Sequence, residues 1–407
     1  MPDPQGGNHD TAAPGPAPGV NILALIIGQV GLHSTMAGTR MAAPLQALRE
    51  GYSAWTVGVL MALFAAAPVL LALPAGRLAD RHGYHRPVHI AAGLSIAGAL
   101  LAVLSTWLQG TPHLLLLFAA ASLCGGGANV GLIAIQRTAG RSARDSTERM
   151  RVFSWLGVAP SLSNVVGPVM AGLLIDGAGF WAAYGFLLLL PLVSVGVARL
   201  VPRERPVRLP RPPGRTAWDL WRVPGLQRLM IVNWLLSACW DVHSFAVPIL
   251  GHERGFSAST IGLVLGVFPL SVSAVRLLIP LLAHRMQEAQ VLRAAMVGTG
   301  LVFCIYPLVA SPWLMAACAT VLGVTLGCVQ PMIMSTLHRL TPHDRHGEAI
   351  ALRSMTLNLS STVMPLLFGA AGTALGVAPL FWLMGASVGG GNWLVRQFDA
   401  GSEADAA

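Results

Sequence analysis

Twelve apolar runs constrain this chain more than any other feature of its sequence. A membrane-crossing helix needs about 20 consecutive apolar residues, and runs of about that length lie near 20–45, 54–75, 88–108, 114–136, 152–175, 180–200, 228–250, 258–283, 291–309, 312–337, 348–374 and 378–396. Composition agrees, because 54% of the 407 residues are hydrophobic and only 11% are charged, against about 25% in soluble domains. The sequence therefore predicts an all-α integral membrane protein with twelve transmembrane helices embedded in a lipid bilayer.

The arginines predict how these helices are oriented. All 26 Lys+Arg positions are arginine, and the chain is rich in Ala and Gly, which suggests a GC-rich bacterial genome. Cytoplasmic loops carry an excess of positive charge. With the N-terminus inside, 21 of the 26 arginines fall in cytoplasmic segments, and the outer loops hold only Arg49 and Arg254. We therefore predict a bacterial inner membrane protein with both termini in the cytoplasm.

The net charge of +9 does not indicate a nucleic-acid partner, because the arginines lie in short gaps between apolar runs and form no aromatic-interleaved basic patch.

Three polar segments divide the chain. Residues 1–19 are expected to be a disordered cytoplasmic tail, and residues 398–407 a second cytoplasmic tail. Residues 201–227 contain six prolines and six arginines, a composition typical of a linker. The sequence thus predicts an N-terminal six-helix bundle over 20–200 and a C-terminal one over 228–397.

The two halves repeat one another. An offset of 204 residues aligns residues 51–64 with 255–268, with identities at Gly51, Ser53, Ala54, Thr56, Gly58 and Phe64. A second offset, of 197 residues, aligns Ser163, Pro168 and Gly172 with Ser360, Pro365 and Gly369. The bundles are therefore predicted to be parallel structural repeats.

A charged stretch separates the second and third apolar runs, and we predict that residues 76–87 form a short loop in water. Its pattern, Gly-x-x-x-Asp-Arg-x-Gly-x-x-Arg, is formed by Gly76, Asp80, Arg81, Gly83 and Arg86. It resembles the loop between helices 2 and 3 of the major facilitator superfamily, although His85 stands where the family usually carries Arg or Lys.

The resemblance implies a fold of two pseudo-symmetric six-helix bundles with a substrate site between them. It also implies transport by alternating access, with Asp80 as a gate that meets the start of the eleventh helix near His346-Gly347-Glu348.

A second, partial resemblance lies in the fifth run. Gly167, Pro168 and Gly172 match the helix 5 signature of the superfamily's antiporters, whereas Ser163 and Ala171 stand where that signature has glycines. The Arg of the family's helix 4 signature is absent, since the corresponding stretch reads Ala121-Ser122-Leu123-Cys124-Gly125.

Polar residues recur on one face of several predicted helices. In the first run Gln29, His33 and Arg40 are spaced by four and seven, which places them on one helix face. Small residues that serve helix packing would explain some of the serines, but not Arg40 or Asp241. We predict one central cavity lined by Gln29, His33, Arg40, Asn164, Asn233, Ser237, Trp240, Asp241, Ser244 and Asn358.

Charges within the membrane need partners, because each costs about 2.5–3.5 kcal/mol at mid-helix. Asp241 is the only carboxylate deep in an apolar run, and its repeat counterpart, Ala37, lies one turn from Arg40. A pair between Arg40 and Asp241 is therefore predicted. Arg276 and Arg353 either face the same cavity, which would favour an anionic or zwitterionic substrate, or reach back toward the cytoplasm.

The residue that couples transport to protons is predicted by elimination. Arginine does not deprotonate in proteins, which leaves His33 and Asp241 as candidates, and Asp241 is preferred because its distance to Arg40 can change as the bundles rock.

The function predicted first is proton-coupled efflux of a small organic molecule by a monomer. Two alternatives stay open: a proton-coupled uptake symporter for an organic anion, and a non-transporting membrane receptor, which should tolerate loss of Asp80. No nucleotide-binding, metal-binding or nucleophile motif occurs in the sequence, so we expect no enzymatic activity, no cofactor and no metal.

Overall fold

A computed structural model describes residues 21–142, 152, 155–203, 225–282, 288–341 and 346–404. Within these ranges the long elements are all α-helices. They are α1 (Ile22–Arg49), α2 (Ala54–His82), α3 (His85–Ser105), α4 (Gly110–Ser142), α5 (Val158–Ala178), α6 (Phe180–Ala198), α7 (Leu226–Glu253), α8 (Ala258–Leu282), α9 (Glu288–Ile305), α10 (Pro312–Gly327), α11 (Val329–Leu340), α12 (His346–Leu375) and α13 (Ala378–Ala404).

The prediction of twelve membrane crossings is confirmed. Among the described residues, ten helical stretches are long and apolar enough to cross a membrane. One of them, Pro312–Leu337, comprises α10 and most of α11, which are joined at Cys328. With α12 and α13 the described residues form twelve crossings, arranged as an N-terminal bundle (α1–α6) and a C-terminal bundle (α7–α13).

The predicted loop over 76–87 is wrong in its extent. Helix α2 continues through His82 and α3 begins at His85, so that only Gly83 and Tyr84 connect them. Arginines are favourable in the last turns of a helix, because the C-terminal end of its dipole is negative. Gly83 ends the helix with φ 67°, a left-handed conformation that glycine adopts at little cost.

Polar residues at the end of the chain also continue a helix. Helix α13 extends to Ala404, so most of the predicted tail over 398–407 is helical, and its sequence contains no proline that would stop the helix. The predicted N-terminal tail and most of the predicted linker, residues 204–224, lie outside the described residues.

The two bundles meet closely at one end, which we call the closed end. It carries the turns at residues 50–53 and 254–257, and the arginine distribution predicts that it faces the periplasm. Here α2 packs on α12 without side chains between the backbones, because a Cβ added at Gly58 would lie 2.5 Å from the Pro365 carbonyl oxygen. On the other side α5 packs on α8 in the same way, with the Cβ position of Gly262 2.5 Å from the Pro168 carbonyl oxygen.

Hydrogen bonds also join the two bundles at the closed end. The Asp176 carboxylate at the end of α5 accepts from the backbone N–H groups of Ala258 (2.9 Å) and Ser259 (2.7 Å), which start α8. Arg49 Nη2 lies 3.8 Å from the same carboxylate. On the other side, Thr373 Oγ1 of α12 accepts from the Trp55 N–H of α2 at 3.0 Å. The hydrogen bonds to Asp176 and to Thr373 satisfy N–H groups that a helix start leaves without intrahelical partners.

Candidate functional site: a charged cavity between the bundles

A cavity of about 380 Å³ lies between the bundles, beyond the contacts of the closed end. Faces of α1 and α5 line it from one bundle and faces of α7, α8, α10, α11 and α12 from the other. Its volume is within the range of about 300–1,000 Å³ that is typical of ligand sites. The polar side chains that line it are Arg40, Ser161, Asn164, Asn233, Ser237, Trp240, Asp241, Arg276, Gln330, Arg353 and Ser361.

An ion pair crosses the cavity from one bundle to the other. Arg40 Nη2 of α1 lies 3.7 Å from Asp241 Oδ1 of α7, and the exposed fractions of the two side chains are 26% and 7%. Ser361 of α12 donates to the other carboxylate oxygen, Oδ2, at 3.3 Å. The pair predicted from the repeat is therefore present, and its carboxylate also has a hydroxyl donor.

The two further arginines both face the cavity. Arg353 Nε donates to Asn233 Oδ1 at 3.2 Å, and Arg276 Nη2 donates to Gln330 Oε1 at 2.9 Å. Both acceptors are neutral amide oxygens, so neither arginine is neutralised by these bonds. Among the described residues that line the cavity, three carry a positive charge and one, Asp241, a negative charge.

Four predicted residues lie away from this cavity. Gln29 is buried and His33 is half-buried, and neither is among the lining residues. Asn358 is exposed on α12 and does not line the cavity either. Ser244 lines a smaller neighbouring cavity of about 50 Å³, beside Trp240. The shared helix face correctly placed Arg40 at the cavity. It did not place Gln29 and His33 there, because they lie two to three turns from Arg40, toward the start of α1.

The residues of the antiporter-like motif act in packing. A Cβ at Gly167 would lie 2.6 Å from the Ser34 carbonyl oxygen, so this glycine lets α5 approach α1 within the N-terminal bundle. Gly172 gives the same close approach to α8, where the Cβ position is 2.5 Å from the Ala258 carbonyl oxygen. Pro168 lines the small cavity.

The predicted gating segment lies at the opposite end of α2 from the closed end. Arg81 and Arg86 are exposed, and Arg86 Nη1 lies 2.8 Å from His82 Nε2. A Cβ at Gly76 would meet no atom within 4 Å, so close packing does not explain this glycine. The side chain of Asp80 and those of the predicted contact His346-Gly347-Glu348 lie outside what the structure describes.

Sequence reasoning missed several partners. Nothing in the sequence indicated that Gln330 lines the cavity, because a single glutamine in an apolar run can serve many roles. Ser361 was not missed, because it lies on the polar face of the predicted eleventh helix and is the repeat counterpart of Asn164 at an offset of 197. Asp176 and Thr373 are also equivalent under this offset.

A twelve-crossing helical protein with a charged cavity between two repeated bundles has the architecture of a membrane transporter. Comparison with known proteins identifies the family. A sequence profile of the Major Facilitator Superfamily matches residues 25–229 and 229–396, and the chain belongs to this superfamily. It is a non-enzymatic, multi-pass membrane transporter of small molecules.

Individual relatives include exporters. The tetracycline resistance protein, class C, of Escherichia coli is 28% identical over 90% of this chain and 94% of its own length. The enterobactin exporter EntS of Citrobacter koseri is 25% identical over 73% of this chain and 72% of its own. A solved POT family transporter in complex with 5-aminolevulinic acid has a TM-score of 0.77 at 14% identity, over 93% of this chain and 95% of its own. This last likeness concerns the fold alone.

Proposed function

We propose that this protein is a proton-coupled exporter of a small organic molecule, working by alternating access about the central cavity. The observation that carries the proposal is the ion pair between Arg40 and Asp241, since its two members belong to different bundles and its carboxylate is the only one lining the cavity among the described residues. The similarity to an enterobactin exporter supports the direction of transport.

The proposed coupling follows from the position of the pair. If the bundles rock about the cavity, the distance between α1 and α7 changes and the pair lengthens. Two opposite charges about 4 Å apart attract by roughly 1 kcal/mol in water and about 4 kcal/mol at an effective dielectric constant of 20. Protonation of Asp241 removes this attraction, and a change of that size shifts a two-state equilibrium several-fold or more. One conformation would thus favour the carboxylate and the other the carboxylic acid.

Everted membrane vesicles with an imposed proton gradient test the proposal. Tetracycline is a suitable first probe, because a relative aligned with 90% of this chain is named for resistance to it; aromatic carboxylates are a second class. We expect Asp241→Asn to abolish proton-driven accumulation while exchange of substrate across the membrane continues. His33→Gln, which changes a titratable residue that does not line the cavity, should keep driven accumulation. Driven accumulation by Asp241→Asn with unchanged pH dependence would exclude this carboxylate as the coupling site.

Uptake of an organic anion together with protons is the second candidate. Arg276 and Arg353 favour it, because both line the cavity and neither has a carboxylate partner among the described lining residues. The same vesicles separate the two, since an exporter of the cell accumulates substrate in everted vesicles that are acidic inside and a symporter does so in right-side-out vesicles that are alkaline inside. The third reading, a receptor that does not transport, has no support from the relatives.

The proposal includes a monomer in the bacterial inner membrane with both termini in the cytoplasm. Reporter fusions test the topology: a reporter within 201–227 should be cytoplasmic, and reporters at Gly51 and Gly255 periplasmic. A reversed result at any of these sites would contradict the predicted orientation.

A further inference from the structure

The lining of the cavity has more hydrogen-bond donors than acceptors. Among the described residues, three buried lining atoms have no hydrogen-bond partner: Arg40 Nε, Asn233 Nδ2 and Arg276 Nε. All three are donors. Two of the lining acceptors already bind arginines, since Asn233 Oδ1 accepts from Arg353 and Gln330 Oε1 accepts from Arg276. A ligand that accepts hydrogen bonds would satisfy these groups.

The charges of the lining also favour a ligand that accepts hydrogen bonds. Asp241 is paired with Arg40 at 3.7 Å, so it does not neutralise Arg276 or Arg353. A positive side chain at membrane depth costs about 2.5–3.5 kcal/mol unless it meets a partner, water or substrate. The planar guanidinium group binds carboxylate and similar oxyanions through two parallel hydrogen bonds. Two such groups in one cavity therefore form a site for an anion.

Arg353 does not simply reach back to the membrane surface. It is seven residues past His346, the first residue of α12, which corresponds to about 10 Å along the helix axis. Its Nε is held by Asn233, a residue of α7 that is only 1% exposed. The side chain of Arg353 therefore points across to the neighbouring helix and into the cavity. Arg276 of α8 likewise reaches across to Gln330 of α11.

Apolar and aromatic side chains form a second part of the lining, beside the neutral polar Ser161, Asn164, Ser237 and Ser361. The Trp240 ring lies against Phe268, with 4.5 Å between the ring centroids, and Trp240 lines both the main cavity and the smaller neighbouring cavity. Leu236, Val329 and Leu357 add aliphatic surface. A ligand that fits both surfaces has an apolar or aromatic body and one anionic group.

We infer that the substrate of this transporter is an organic anion, whose acidic group is bound between Arg276 and Arg353 while its apolar body lies toward Trp240. The inference rests on the proposed function in that the cavity is taken as the transport site. It holds for export and for uptake alike, since it concerns what is bound and not which gradient drives it.

Binding measured by thermal shift on the purified full-length protein tests the inference without any proton gradient. The probes are benzoate, 1-naphthoate and 9-anthroate, each with its primary amide, which has a similar shape and no charge. A compound that binds only the folded state raises the melting temperature. We expect at least one acid to raise it in a saturable way while its amide does not, and Arg276→Gln and Arg353→Gln each to weaken the binding of that acid about tenfold or more.

Arg228→Gln is the matched control, because Arg228 is exposed at the start of α7 and lies outside the cavity. It should bind the acid as the wild type does. No preference for acid over amide anywhere in the panel would overturn the inference, as would equal binding by the wild type and both cavity variants. The comparison of acid with amide uses the wild type alone, so it stands even if a variant does not fold. Absence of proton-driven transport by the wild type in vesicles would instead count against the proposed function and leave this binding result unaffected.

Discussion

The closed end and the cavity differ in how closely the residues of one bundle match their repeat counterparts in the other. At the closed end the Cβ position of Gly58 faces the Pro365 carbonyl oxygen at 2.5 Å, and that of Gly262 faces the Pro168 carbonyl oxygen at the same distance. These two contacts are equivalent under the offsets of 204 and 197 residues. The capping contacts of Thr373 with Trp55 and of Asp176 with Ser259 are equivalent as well.

At the charged residues of the cavity the equivalence ends. The counterparts of Arg40 and Asp241 are Ser244 and Ala37. Those of Arg276 and Arg353 are Ala72 and Leu156. Each charged residue that the structure describes in the cavity lining thus has a neutral counterpart in the other bundle. The equivalent contacts are those by which the two similar bundles close against each other. The charges without equivalents lie in the cavity, where we expect the substrate and the proton to bind.

The largest effect is expected from moving the carboxylate to its symmetric position. Asp241→Asn combined with Ala37→Asp puts a carboxylate one turn from Arg40, but on the same helix. A pair within α1 does not lengthen as the bundles move, so proton-driven accumulation in vesicles should stay abolished. Ala37→Asp alone and Ala37→Asn control for the tolerance of the buried site. Recovery of driven accumulation by the double variant would show that an inter-bundle pair is not required.

Adding a side chain at the matched glycines should open the closed end. Gly58→Val and Gly262→Val each force a Cβ against a carbonyl oxygen, and overpacking of this kind costs about 1–3 kcal/mol. The closed state should lose population by roughly 5- to 150-fold, and similarly in both variants because their contacts are equivalent. Spin labels at Ser53→Cys and Leu375→Cys, in a background without the native cysteines, report the opening as a longer distance.

Gly76→Ala is the control for these glycine variants, since its Cβ would meet nothing within 4 Å. A distance distribution that stays closed in both valine variants would mean that these contacts do not control the closed end.

A smaller effect should distinguish the two capping contacts. They are equivalent under the internal repeat, but the acceptor is the charged carboxylate of Asp176 in one and the neutral hydroxyl of Thr373 in the other. Hydrogen bonds to a charged group contribute about 1.5–3 kcal/mol and those between neutral groups about 0.5–1.5 kcal/mol. Asp176→Asn should therefore reduce the closed population in the same spin-label measurement more than Thr373→Ala does. Arg49 adds to this difference through its contact with Asp176 at 3.8 Å. An equal or reversed order would contradict the charge argument.

The sequence predicted the parts that follow from periodicity and repetition. The crossings follow from apolar run length, and the Arg40–Asp241 pair follows from placing Asp241 on Ala37. The extent of α2 was not predicted, because charged residues stop the membrane span without stopping the helix, and only Gly83 ends it.

The orientation of the long side chains was beyond the sequence. An arginine near a helix end can reach the surface or a neighbouring helix with the same backbone, so Arg276 and Arg353 could be assigned to the cavity only through their bonds to Gln330 and Asn233. Contacts such as that of Asp176 with Ala258 join residues 82 positions apart in the chain, and no local pattern encodes them.

The central claim is that the Arg40–Asp241 pair binds and releases the coupled proton. Its most direct test is proton movement in proteoliposomes loaded with the pH dye pyranine, followed while tetracycline or the aromatic acid with the highest affinity is added outside. The wild type should change the internal pH in proportion to the substrate transported. Asp241→Asn should exchange radiolabelled substrate at a comparable rate with no substrate-dependent change in internal pH. Proton movement by Asp241→Asn with the wild-type ratio of protons to substrate would contradict the account.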